Sequence, residues 1–96
     1  MRDNPITPTV DFARNGVQHG HLRLPCSRND SAWGSVQIPV TVIRNGDGPC
    51  ALFTGGNHGD EYEGPIALTG LAQSLRPQDI TGTVILIPFM NHPAFL

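Results

Sequence analysis

The run Thr83-Val84-Ile85-Leu86-Ile87-Pro88-Phe89 constrains this chain more than any other segment. Its residues are almost uninterruptedly apolar and do not alternate, so neither face of the strand they form is suited to water. Runs of this kind belong to strands buried on both sides, usually parallel strands covered by helices. A helix precedes it: Leu68, Leu71, Ala72 and Leu75 recur at helical spacing, Pro65 suits a first-turn position, and Arg76-Pro77 ends the element. Ahead of the helix, Cys50-Ala51-Leu52-Phe53-Thr54 reads as a second buried strand. Strand 50–54, the helix and strand 83–89 therefore make one βαβ unit, with parallel strands and a right-handed crossover.

Upstream the pattern changes. Residues 17–24, Val-Gln-His-Gly-His-Leu-Arg-Leu, alternate weakly, as a short half-buried strand stopped by Pro25 would. Residues 35–43, Ser-Val-Gln-Ile-Pro-Val-Thr-Val-Ile, return to strand character, and Pro39, which has no N–H to donate, marks an edge or a bulge. Asn45-Gly46 and Asp47-Gly48 are turn dipeptides. Residues 35–54 accordingly read as a β-hairpin whose second arm hands the chain to a glycine-rich loop. Between the two strands, residues 26–34 are a polar loop in which Trp33 is a packing residue rather than a stacking platform. Residues 1–16, polar and rich in Pro and Asn, read as an arm attached through Ile6, Val10 and Phe12, and residues 17–96 as the α/β unit.

A chain of 96 residues, 39% hydrophobic and with a net charge of -2, makes one globular unit at the small end of the domain range. All of its basic residues are arginines, Arg2, Arg14, Arg23, Arg28, Arg44 and Arg76, and they do not cluster. That spread argues against a nucleic-acid or anionic-membrane partner. No stretch has the apolar length needed to span a bilayer and Met1-Arg2-Asp3-Asn4-Pro5 lacks the apolar core of a secretory signal, so the expectation is a cytoplasmic protein. Cys26 and Cys50 are too far apart for a Cys-x-x-Cys pattern, and Cys50, opening an apolar strand, is expected to behave as a buried small hydrophobe.

The chemistry concentrates in Thr54-Gly55-Gly56-Asn57-His58-Gly59-Asp60-Glu61-Tyr62-Glu63-Gly64-Pro65, where strand passes into helix. His58 and Glu61 stand three apart, and on a helical turn such residues are neighbours, roughly 5 to 6 Å between Cβ atoms. A nitrogen and an oxygen donor can thus meet at one divalent ion, and zinc accepts this pair. Glu61 and Glu63 are the chain's only glutamates, and both fall in this segment. The carboxyl end of a strand is also where open α/β sheets bind ligands. Two readings remain open on pattern alone: a metal site, or a structural histidine beside a helix-start acid.

Neighbouring residues take roles by position. Glu63 complements the helix dipole as a first-turn acid, since at two residues from Glu61 it projects to another side. Asn57 and Asp60 suit the orientation of metal ligands. The βαβ geometry brings Asn91-His92-Pro93 to the same sheet edge as His58, so His92 is either a third ligand or a pocket-wall histidine, with Asn91 beside it. A phosphate-binding loop fits poorly, because Gly55-Gly56-Asn57-His58-Gly59 matches neither the dinucleotide fingerprint nor the Lys-bearing P-loop, and its acids would repel phosphate. His19 and His21 share one strand face; a metal pair is conceivable there, but solvent-facing histidines are the favoured reading.

Gly55-Gly56-Asn57-His58-Gly59-Asp60-Glu61-Tyr62-Glu63-Gly64-Pro65, with the following helix, the apolar strand and Asn91-His92-Pro93-Ala94-Phe95, resembles the succinylglutamate desuccinylase/aspartoacylase family. The likeness extends to the opening Met1–Phe12, to Ser31-Ala32-Trp33-Gly34 and to Val42-Ile43-Arg44-Asn45-Gly46. It implies a zinc-carboxypeptidase-like mixed sheet, of which this is the amino-terminal portion with a β-hairpin and one βαβ unit. It also implies hydrolysis of the amide bond of an N-acyl amino acid, with one Zn2+ held by His58 and Glu61 and water attacking the acyl carbon. Members of the family take a third zinc ligand, a carboxylate-gripping Arg and a general-base Glu from positions that would lie beyond Leu96, so no catalytic base is assigned within this chain. His92 stands where an aromatic residue is common in the family.

The resemblance and the exposed edge that strand 83–89 would present point to an incomplete copy, marginally stable alone and weak in zinc binding. A noncatalytic small α/β module, or a metal-binding remnant, is the competing expectation.

Overall fold

The computed structural model describes residues 6–25, 35–56 and 63–90. These build a mixed sheet from β1 (Thr7–Pro8), β2 (Gly16–Pro25), β3 (Ser35–Asn45), β4 (Cys50–Thr54) and β5 (Gly82–Ile87), with α1 (Glu63–Ser74) between the last two. The spatial order is β1-β2-β3-β5-β4. β4 and β5 run parallel with Leu52 opposite Ile85, while β1–β2, β2–β3 and β3–β5 are antiparallel. The βαβ unit is therefore present, as is a β-hairpin, and the architecture is the mixed sheet that the sequence leads one to expect.

The hairpin is formed by different strands. Residues 35–54 do not pair with one another: β3 and β4 are separated by β5, which hydrogen-bonds to both. The hairpin is β2–β3, with Val17 opposite Ile43 and Leu22 opposite Ile38. The turn at Gly46, where φ is 71°, reverses no ladder; it carries the chain past the position that β5 later fills. The most apolar strand thus takes a slot with two neighbours, where its backbone groups are paired on both sides. Strand 83–89 is consequently not at the sheet edge.

Among the described residues β4 is at the edge instead, and its exposure follows. Leu52 is 58% and Phe53 46% accessible, so the expectation of a buried strand fails for β4, and Cys50 is an exposed free thiol rather than a buried one. Pro39 sits in the part of β3 that extends beyond the β5 ladder, which stops at the pair Thr41–Leu86. Its missing N–H therefore leaves no gap in that pairing.

Side chains alternate between the two faces of the sheet, and each face has its own core. On one, Ile43, Ala72 and Leu86 are buried and meet Leu68, Leu71, Leu75, Ile80 and Val84, so the leucine stripe of α1 lies on the sheet as its spacing predicts. On the other, Val10, Val40, Val42 and Ile87 form a core with Leu22, Ile38 and Ile85. Burying one such aliphatic side chain fully stabilises by about 1.5–3 kcal/mol. Val10 brings the amino-terminal arm onto this second face, while Ile6 and Phe12, also expected as attachments, are exposed. The arm joins the sheet through backbone as well: β1 pairs with β2, and the Thr9 N–H donates to the His21 carbonyl at 2.9 Å.

After α1 the chain makes a 3-10 turn at Pro77–Asp79. The Asp79 carboxylate accepts from the Arg76 backbone N–H at 3.0 Å and from its guanidinium at 3.2 Å. Those bonds hold the Asp79 carboxyl below its ordinary pKa, the backbone N–H contributing most. Among the described residues no helix is long and apolar enough to cross a membrane.

Candidate functional site

Parallel strands present their carboxyl ends at one edge, and here two backbone hydrogen bonds tie those ends together. The Gly55 N–H donates to the Ile87 carbonyl at 3.0 Å, and the Met90 N–H donates to the Gly55 carbonyl at 2.9 Å. Gly55 is buried, and a Cβ there would lie 3.0 Å from the Gly64 carbonyl carbon and 3.1 Å from the Pro88 oxygen. Only glycine lets the start of α1 approach the end of β4 this closely. The segments flanking residues 57–62 and the residue preceding Asn91 are thereby gathered at one point of the fold.

The side chains that the sequence singles out at that point, Asn57, His58, Asp60, Glu61, Asn91 and His92, lie outside the described residues, as does Trp33. Glu63 is described: it opens α1, is exposed, and places its carboxylate in the first turn, where it complements the helix dipole. Among the described residues no three His, Cys, Asp or Glu side chains gather where they could hold a metal ion.

Beside this edge a groove of about 580 Å³ runs between β2 and α1, crossing β3. His19 and His21 line it from the strand, Thr69 and Gln73 from the helix, and Phe89 closes it next to the carboxyl edge. The His19 ring is anchored, its Nδ1 lying 2.8 Å from the Oγ1 of buried Thr41. His19 and His21 thus line an open groove, His19 exposed and His21 half-buried. A smaller recess of about 250 Å³ adjoins it, lined by Pro65, Ile66, Thr69 and Phe89. Sequence reasoning assigned no role to Thr41, Thr69 or Phe89. Only the Gly-Gly pair at the end of β4 hinted at how closely these backbones would approach.

Residues 47–96, which hold the βαβ unit and the segment Gly55-Gly56-Asn57-His58-Gly59-Asp60-Glu61, match the family model for the succinylglutamate desuccinylase/aspartoacylase catalytic domain. The chain belongs to that family. Its relatives include the N-α-acetyl-L-2,4-diaminobutyric acid deacetylase of Halomonas elongata, 60% identical over 94 residues, which make up 98% of this chain and 28% of the relative. Among solved structures, the product-bound ectoine utilisation protein EutE (DoeB) of Ruegeria pomeroyi superposes with a TM-score of 0.92 at 60% identity, covering 99% of this chain and 29% of that one. A succinylglutamate desuccinylase from Silicibacter sp. TM1040 gives a TM-score of 0.92 at 61% identity, again covering 99% of this chain and 29% of the other. The chain thus spans under a third of the length of these relatives, and its sheet is the amino-terminal portion of their fold.

Proposed function

We propose that this chain is the amino-terminal part of a zinc-dependent hydrolase that cleaves the amide bond of an N-acyl amino acid, an N-acetyl-diaminobutyrate-like compound. The observation that carries the reading is the 60% identity to the Halomonas elongata deacetylase across 98% of this chain. In this reading residues 17–96 belong to the catalytic domain and residues 1–16 are an arm upon it.

His58 and Glu61 are the residues that would hold a single Zn2+, and the donor chemistry fits, since an imidazole nitrogen and a carboxylate oxygen are both ordinary zinc ligands. Zinc bound there would polarise the acyl carbonyl and lower the pKa of a water. The chain's own contribution is positional. The hydrogen bonds joining Gly55 to Ile87 and Met90 fix the roots of the loops that carry the proposed residues. Asn57 and Asp60 orient the ligands, because an imidazole or carboxylate held by a second hydrogen bond keeps its lone pair aimed. Asn91 and His92 line the pocket for the small-molecule substrate.

A chimera tests this directly. The corresponding segment of the Halomonas elongata deacetylase is replaced by residues 1–96 of this chain, and hydrolysis of N-α-acetyl-L-2,4-diaminobutyrate and zinc content are measured. Turnover with bound zinc is expected, and His58→Ala or Glu61→Ala should remove both. A folded chimera without turnover, or variants that keep the parent's metal content, would overturn the reading.

A further inference from the structure

His19 and His21 have no role in the hydrolase reading, yet the fold treats them as a built pair. Alternate residues on a strand share a face and lie about 6.6–6.8 Å apart along it, a spacing from which two imidazoles can reach one ion at zinc–nitrogen distances of about 2.0–2.1 Å. The face is the one that bears α1, since His19 pairs with Thr41 and Thr41 with Leu86, which packs in the core under the helix. β2 itself lies to the side of α1, so the two rings open onto the groove rather than into the core.

Each histidine is also held in place. Thr41 is buried and sits 2.8 Å from the Nδ1 of His19, which fixes that ring and leaves Nε2 without a partner among the described residues. Metal-ligating histidines nearly always have their second nitrogen engaged in this way. The backbone of His21 is clamped twice by Thr9: its N–H donates to the threonine Oγ1 at 2.9 Å, and its carbonyl accepts from the Thr9 N–H at 2.9 Å. Gly20, between the histidines, makes this clamp possible, because a Cβ there would come within 2.5 Å of the Thr9 Oγ1. Among the described residues, those lining the groove include no carboxylate and no Arg. Neutral imidazole donors without carboxylates select zinc, copper or nickel over calcium or magnesium.

We propose that His19 and His21 form a two-imidazole site for a borderline divalent transition-metal ion in the groove between β2 and α1, with water completing the coordination. The site does not depend on His58 and Glu61.

Titration of the full chain with Zn2+, followed through the histidine ring NMR signals, tests the proposal. The His19 and His21 rings should shift together with one midpoint, both in the parent and in the double variant His58→Ala/Glu61→Ala. His21→Gln should raise the His19 midpoint at least tenfold with the backbone amide spectrum unchanged. Thr41→Val should raise the shared midpoint by a smaller factor. Rings that shift at separate midpoints, a His19 midpoint indifferent to His21→Gln, or shifts that vanish in the His58→Ala/Glu61→Ala variant would each overturn it.

Discussion

The Met90 N–H donates to the Gly55 carbonyl at 2.9 Å, joining the residue that follows β4 to the segment that follows β5. This one bond crosses between two loops that the sequence separates by a whole helix. Together with the bond from Gly55 to Ile87 it makes the carboxyl edge of the βαβ unit a fixed platform. Loops rooted on such a platform present side chains with less freedom than loops of equal length elsewhere, which a metal site requires.

Gly55→Ala should therefore be costly. The added methyl meets backbone at 3.0 Å from Gly64 and 3.1 Å from Pro88, and backbone cannot rotate aside. A loss of about 1–3 kcal/mol is expected, the usual range for overpacking. Urea denaturation of parent and variant measures it; equal midpoints would mean that the edge yields more easily than its contacts imply.

The strand order makes a second prediction. Ile43 is fully buried under α1 whereas Leu52 is 58% exposed on the edge strand. Ile43→Ala should destabilise by about 2–5 kcal/mol, and Leu52→Ala by less than about 0.5 kcal/mol. Comparable losses at both positions would contradict an interior β3 and an edge β4.

Gly20→Ala should lift the arm. The new Cβ would stand 2.5 Å from the Thr9 Oγ1 and 2.7 Å from the Val10 Cγ1, so the arm must move off β2. Hydrogen exchange at the Thr9 amide, which is bonded to the His21 carbonyl, is expected to speed up about 5- to 150-fold, as a local opening cost lowered by about 1–3 kcal/mol implies. Unchanged protection at Thr9 would refute the clamp.

Asp79 gives a pH prediction. Its carboxyl is held below its ordinary pKa chiefly by the Arg76 backbone N–H and secondarily by the Arg76 side chain. A depressed folded-state pKa stabilises above the unfolded value, and that contribution is lost as pH falls through the folded value. The 3-10 turn should accordingly loosen only in acid, below the ordinary carboxylate range. Because the backbone bond is the larger cause, Arg76→Ala should restore only part of the shift in a carboxyl NMR titration; full restoration would show that the guanidinium dominates.

The helix and four of the strands were legible in the chain because their signals are local. Leu68, Leu71, Ala72 and Leu75 define one helical face regardless of what they meet, and they meet Ile43 and Leu86. The Gly-Gly pair at the end of β4 and the His58–Glu61 spacing are equally local signals, and the proposed ligand loop rests on them. The two-residue β1 was not legible, since Thr7-Pro8 has no periodicity to read and becomes a strand only by pairing with Arg23 and Leu22.

Apolar content says that a strand prefers burial, but not which strands will be its neighbours. Placing β5 between β3 and β4 is a long-range choice: the strand with least tolerance for water takes the position paired on both sides, and β4, nearly as apolar, is left at the edge with Leu52 and Phe53 exposed. The same choice sets α1 over β3 and β5 and leaves β2 to the side of the helix, which opens the groove lined by His19 and His21. The sequence by itself determined the local elements, and it supplied the donor types on which the proposal for His58 and Glu61 rests, because periodicity, turn residues and donor types act over a few residues. Strand order, the tie between Gly55 and Met90, and the setting of His19 beside Thr41 were decided by tertiary structure alone, because they depend on hydrogen bonds between segments that meet only when the sheet closes.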